Sequence, residues 1–292
     1  MNDAPHAPGA LAPFAWRAPA GEALPIIYDS PHSGRYYPPA WRTKPALAVL
    51  RGGEDAYVDE LIAEASALGI GLLLATYPRC YIDANREPDD LDRELLAEPW
   101  PSPLKPTGKT RQGLGLVRRY VTPGVEVHAD KLSVAEVRGR LDGVYWPYHR
   151  ALEAGVEALH RRFGFVWHVD WHSMKAVGNA MTPDSGRRRA DIVIGDLEGT
   201  SCERALTALL AESFAGLGYR VALNDPYKGA AIVRRYGAPA RGRHSIQVEV
   251  NRGLYLDEAA VAKHGGFAKL GADIAAVSAT LAAAAKAALA AK

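Results

Sequence analysis

Two histidines in this chain directly follow short apolar runs and lie among small polar residues. His32 comes after Leu24 to Tyr28, in Asp29-Ser30-Pro31-His32-Ser33-Gly34, and His172 after Phe165 to Val169, in Asp170-Trp171-His172-Ser173. Catalytic zinc is usually held by three neutral imidazole or carboxylate groups, with water in the fourth position. Neighbouring strand ends can bring such distant histidines together. His168 competes as a ligand: on a strand it shares a face with His172, although inside the strand a satisfied core role suits it better. An acidic third ligand could come from Glu54 or Asp55, which open a helical pattern. Their alternative role is charge at a helix N-terminus. Asp59, one turn on, could brace a ligand histidine.

Other residues suit an anionic substrate or proton transfer. Arg79, Asn85 and Arg86 lie within Pro78-Arg79-Cys80-Tyr81-Ile82-Asp83-Ala84-Asn85-Arg86. Guanidinium groups bind carboxylates through two parallel bonds, so this set suits an acidic amino acid, or else forms ordinary surface charge. In Ser245-Ile246-Gln247-Val248-Glu249-Val250, alternation puts Gln247 and Glu249 on one face and the apolar residues on the other. A buried glutamate needs a partner. Glu249 is therefore either a general base for an activated water or the partner of Arg252 or Arg243. Lys228, in a turn with Gly229, could reach a substrate carboxylate.

The elements that must position these residues alternate in type. Apolar runs predict strands at Leu24 to Tyr28, Gly71 to Ala75, Arg79 to Ala84, Phe165 to Val169, Asp191 to Ile194, Tyr219 to Leu223 and Ser245 to Val250. Helical spacing predicts helices over Asp55 to Leu68, Ser133 to Phe163, Thr200 to Ala215, and from about Phe267. Asn85 to Lys131 is irregular and proline-rich, as a lid or binding loop would be. The pattern gives an α/β fold of one domain over residues 22–292, with a mixed central sheet flanked by helices, after a poorly ordered arm at residues 1–21. In such sheets ligands bind beyond the carboxyl ends of strands, where His32, His172 and Glu249 fall.

The whole chain bounds its partners. Its 292 residues carry 48% hydrophobic and 23% charged side chains and a net charge of +2. That suits a globular domain and argues against a nucleic-acid partner, which needs a denser positive stripe. Cys80 and Cys202 form no metal or redox motif and read as small buried hydrophobes. No signal-peptide pattern or long uncharged apolar run is evident. A cytoplasmic location and no membrane association are therefore expected, and Ala279 to Lys292 reads as a surface helix with a fraying tail. The oligomeric state, including a homo-oligomer, stays open.

Taken in order, these segments resemble the N-formylglutamate amidohydrolase family. The matching residues are Pro31-His32-Ser33-Gly34, Glu54-Asp55-Ala56-Tyr57-Val58-Asp59-Glu60-Leu61, Arg79 with Asp83-Ala84-Asn85-Arg86, and Pro147-Tyr148-His149. They continue with Asp170-Trp171-His172-Ser173-Met174, Pro226-Tyr227-Lys228-Gly229 and Gln247-Val248-Glu249-Val250-Asn251-Arg252, so that the resemblance spans residues 25–256. It implies a fold similar to zinc carboxypeptidases and aspartoacylase-like deacylases, with an eight-stranded-type mixed sheet. It also implies one Zn2+, or another divalent ion, on His32, Asp55 and His172. Glu249 would be the general base and Arg79 would stabilise the oxyanion. Asn85 and Arg86 would hold the α-carboxylate, and Lys228 or Arg252 a second one. The implied substrate is a small N-acyl amino acid, foremost N-formyl-L-glutamate in histidine degradation. A carboxypeptidase-like enzyme, another N-acyl-amino-acid deacylase and a non-catalytic binder are the alternatives. Two positions depart from the patterns: Arg35 stands where carboxypeptidases carry a glutamate, and Trp171 where the family typically has cysteine.

Overall fold

A computed structural model describes residues 11–291. Its centre is a seven-stranded mixed sheet built from β1 (Phe14–Arg17), β2 (Ile26–Ser30), β3 (Gly71–Ala75), β4 (Val166–Met174), β5 (Ile192–Gly195), β6 (Val221–Leu223) and β7 (Arg243–Asn251). The strand order is β1-β3-β2-β4-β7-β5-β6. Strands β3, β2, β4 and β7 run parallel, β5 pairs antiparallel to β7, and β1 antiparallel to β3. This is the mixed α/β sheet the sequence implied, with seven strands among the described residues where the resemblance implied eight.

Alternation along the central strands divides the two faces. Trp167, Val169 and Trp171 of β4 join Ile246, Val248 and Val250 of β7 in the main core. That core is covered by α2 (Arg204–Gly216) and α4 (Gly266–Ala290), while α1 (Trp146–Phe163) and α3 (Ala231–Tyr236) pack on the opposite face through Leu152, Val156, Ile232 and Tyr236. On that second face the carboxyl-terminal halves of the strands turn polar. The register sets His168 beside Ser245, Asp170 beside Gln247 and His172 beside Glu249. Trp171, where the resemblance implied cysteine, faces away from this polar layer into the core.

Several expectations change. Phe14–Arg17, expected within a poorly ordered arm, is an edge strand; residues 1–10 lie outside the described residues. Arg79 to Ala84 is a turn-rich connection, because a succession of bonds to Pro78 and Leu116 carbonyls takes the amides a strand would need. The stretch from Ser133 to Phe163 contains a π-helical turn at Leu141–Tyr145, which absorbs Pro147 at the start of α1. Residues 85–131 are mostly irregular but carry their own apolar cluster, including Leu91, Leu104, Leu116 and Val117. Helix α4 is long and apolar enough to cross a membrane by length and composition. Its Leu270, Ile274, Val277, Leu281 and Ala285 form a stripe buried in the main core, while from Lys286 onward no described residue is buried, so Ala279 onward is a surface helix with one buried edge. Lys292 lies outside the described residues.

Candidate active site

His32 sits just beyond β2, and His172 lies within β4 rather than after it. Asp55 reaches both. Its Oδ2 is 2.9 Å from His172 Nδ1 and 3.3 Å from His32 Nδ1. A break in the expected helix aims it there. Tyr57 adopts a left-handed backbone with φ of 63°, so regular helix begins only at Val58. That conformation costs roughly 1–2 kcal/mol for a residue with a side chain. It is held by the Tyr57 hydroxyl donating to the Val261 carbonyl and by Arg35, Arg51 and Lys263 over its ring. Glu54 points elsewhere, accepting from the Tyr37 hydroxyl at 2.7 Å, and so is not the third member.

His32, Asp55 and His172 form a buried group that could hold a metal ion. The donor set fits one. His32 Nδ1 is buried and makes no hydrogen bond, leaving a lone pair aimed toward Asp55 and His172. Its other nitrogen, Nε2, lies 2.6 Å from Asp83 Oδ1, the carboxylate contact typical of a metal-bound imidazole. Burial, and then Arg79, lower the His32 pKa and favour the neutral, ligating ring. Burial alone would raise the Asp55 carboxyl, but Arg79 and the two imidazoles hold it well below its usual range. Burial would lower His172, yet Asp170, Asp55 and Glu249 push it well up.

The carboxylates are themselves fixed. Arg252 Nη2 donates to Asp55 Oδ1 at 2.9 Å, and Arg79 Nη1 to the same oxygen at 3.3 Å. Arg79 also donates from Nε and Nη2 to Asp83 Oδ2. Asp83, not the expected Asp59, is the brace; Asp59 is drawn away by Arg35 at 2.6 Å. Asp83→Asn keeps the shape but removes this charge. It is expected to weaken zinc affinity about 10–100-fold in a chelator competition assay, and unchanged affinity would remove Asp83 from the site.

Glu249 lines the adjoining cleft and is largely buried, with Oε1 accepting from Gln247 Nε2 at 3.0 Å. Burial and the nearby Asp55 raise its pKa, against the opposing pull of His172, Arg79 and Arg252. The alternative pairing with Arg252 or Arg243 is absent among the described residues: the Arg252 guanidinium serves Asp55, Ser173 and the Gly52 carbonyl, and Arg243 reaches Glu157. Asn85 is likewise engaged within the protein. Its Nδ2 is 3.1 Å from His172 Nε2 and its Oδ1 accepts from the Ile232 amide. Arg86 lines the cleft while donating to the Leu114 and Asn85 carbonyls. Lys228 is half exposed and paired with Glu198 at 2.6 Å. Neither Lys228 nor Arg252 is therefore a free cation for a second carboxylate. His168 and His149 are satisfied core histidines: the first bonds Asp29 and Ser245, the second Tyr236 and the Ala84 carbonyl.

The cleft has a volume of ≈ 670 Å³. Nine arginines and lysines line it against three acids, Glu87, Asp90 and Glu249. In a chain of net charge +2, that concentration selects an anion. Among these cations, Lys109 and Arg118 were not singled out by the sequence reading. They lie in the irregular 85–131 segment, and its expected role as a binding loop was the only signal pointing to them.

Comparison with known proteins agrees with this chemistry. The family profile of N-formylglutamate amidohydrolase matches residues 24–256. The N-formylglutamate deformylase of Pseudomonas aeruginosa is 31% identical over 243 residues, covering 81% of this chain and 84% of the relative. That of Pseudomonas putida is 29% identical over 249 residues, covering 80% and 83%. A crystal structure of N-formylglutamate amidohydrolase from Ralstonia eutropha JMP134 superposes with a TM-score of 0.89 at 43% identity, covering 94% of this chain and 99% of that one. Fold, site and relatives together define a hydrolase of amide bonds. The chain belongs to the N-formylglutamate amidohydrolase family.

Proposed function

We propose that the chain hydrolyses N-formyl-L-glutamate to formate and L-glutamate with one zinc ion, or another divalent metal, held by His32, Asp55 and His172. The observation that carries this reading is the buried His–Asp–His group with Glu249 in register beside His172, opening on a cationic cleft. When bound, the metal supplies Lewis acidity to the formyl carbonyl and acidifies the attacking water. Glu249 accepts the water proton and returns it to the leaving amine. Arg79 faces the cleft with N–H groups left over from its three bonds to Asp55 and Asp83, and these stabilise charge developing on the carbonyl oxygen. Arg86 takes the α-carboxylate. Asn85 acts one step back, fixing the His172 ring. A cytoplasmic location and a place in histidine breakdown go with this reading.

The test is formate release from N-formyl-L-glutamate by purified protein, zinc-loaded and then chelated. Zinc-dependent release is the expected result. Release from a peptide or another N-acyl amino acid instead would move the chain to a different deacylase activity. Ligand binding without turnover at any metal loading would make it a binding protein.

A further inference from the structure

We propose that Lys109 and Arg118 form the receptor for the substrate's second carboxylate, the one on its side chain, and thereby set the preference for an acidic amino acid. This rests on the function proposed above and adds to it the residues that recognise the glutamate side chain.

Arg118 is 7% exposed, lines the cleft, and makes no hydrogen bond through its guanidinium among the described residues; its Nε is buried and orphaned. The nearest carboxylate oxygen, Asp83 Oδ2, is 3.7 Å away and already receives two bonds from Arg79. The other oxygen of Asp83 serves His32 and the Asn85 amide. The hydrogen-bonding positions of Asp83 are thus filled, and Arg118 is left as a buried cation with a 3.7 Å ion pair to Asp83 and no hydrogen bond among the described residues. Such a charge opposes folding, and it is explained if an anionic ligand completes it.

Lys109 repeats the pattern. It lies on the helical turn Gly108–Arg111, which Thr107 caps. Asp90 anchors that turn with both carboxylate oxygens, accepting from Thr107 and Thr110. This acid therefore positions Lys109 without pairing with its ammonium, which has no hydrogen-bond or carboxylate partner among the described residues. Burial acts on Lys109 first, and the strongest charges that follow are positive: Arg86, Arg118, Arg79 and Arg189. Together with burial, they lower its pKa to about 8. In the function proposed above, Arg86 takes the α-carboxylate, which is one carbon from the scissile nitrogen. Lys109 and Arg118 lie on the neighbouring 108–118 stretch, whose Leu114 carbonyl accepts from Arg86, and are left for the carboxylate farther along the substrate.

The test compares kcat/KM for N-formyl-L-glutamate with that for its neutral isostere N-formyl-L-glutamine, in wild type, Lys109→Met, Arg118→Met and Arg118→Lys. Wild type should favour the acid strongly. Each methionine variant should lose on the order of 10²-fold on the acid, mainly through KM, and change little on the amide, so that discrimination collapses. Arg118→Lys should fall between. The ligand-free thermal midpoint of Arg118→Met should equal or exceed that of wild type, because a buried charge without a hydrogen bond has gone. For wild type, KM for the acid should rise as pH passes about 8 and the ammonium loses its proton, a limb absent in Lys109→Met. An unchanged acid-to-amide ratio in both methionine variants would overturn the proposal. If wild type hydrolyses neither substrate, the functional reading fails instead. Calorimetry with glutarate on zinc-loaded protein then decides the receptor by itself: about tenfold or greater weakening in both methionine variants upholds it, and equal binding overturns it.

Discussion

His172→Ala is expected to purify without stoichiometric zinc and to release formate from N-formyl-L-glutamate only at the background rate. The imidazole is one of three groups converging on one buried point, its Nδ1 2.9 Å from Asp55 Oδ2. Alanine leaves one imidazole and one carboxylate, too few for a catalytic zinc site. A second readout separates loss of metal from loss of fold. Zinc at about 100 times its dissociation constant should stabilise wild type by roughly 2.7 kcal/mol and raise its thermal midpoint, whereas the variant should show no zinc-dependent shift. Its metal-free midpoint is also expected to fall, since Asp55 and the buried Asp170 each lose the ring they flank. Metal analysis giving one zinc per chain in the variant would remove His172 from the ligand set.

Much of this site was legible because strands obey a strict period. Alternation put Glu249 and Gln247 on the face opposite Ile246 and Val248. Short apolar runs ending in polar clusters marked the positions of His32 and His172. These are local patterns, and the parallel register of β4 and β7 turned them into neighbours. What periodicity could not supply came from turns. Asp55 and Glu54 are adjacent acids at the start of one helical pattern, and only the left-handed backbone at Tyr57 decides which faces the histidines. Asp83 became the brace for His32 because residues 79–84 fold as turns, where a strand had been expected. Lys109 and Arg118 belong to a segment without regular period, and their meaning lies in what surrounds them: carboxylates nearby, each already bound by another group. Charge accounting of that kind requires three dimensions. The same accounting finds Lys228 paired with Glu198 and Arg252 with Asp55, where the turn and the order of motifs had offered them as substrate cations.

Glu249→Gln tests the proton-transfer half of the mechanism and should separate cleanly from the metal half. The amide has nearly the volume of the carboxylate, and its oxygen can still accept from Gln247 Nε2, a bond now 3.0 Å long. The side chain should therefore stay in its strand, on the cleft side of β7, with the metal group undisturbed: Glu249 makes no hydrogen bond to His32, Asp55 or His172 among the described residues. What the amide lacks is a basic oxygen able to take the proton of the attacking water. Turnover of N-formyl-L-glutamate should then fall by about 10² to 10⁴ while zinc content and KM stay near those of wild type. The wild-type carboxyl is already pushed upward by burial and by Asp55, which strengthens it as a base relative to an exposed glutamate. Near-normal turnover with full zinc loading would show that proton transfer runs through another group, and would leave Glu249 with the structural task of holding Gln247. A loss of zinc together with turnover would place Glu249 among the groups that retain the metal, and the assignment of a single acidic ligand at Asp55 would have to be redrawn.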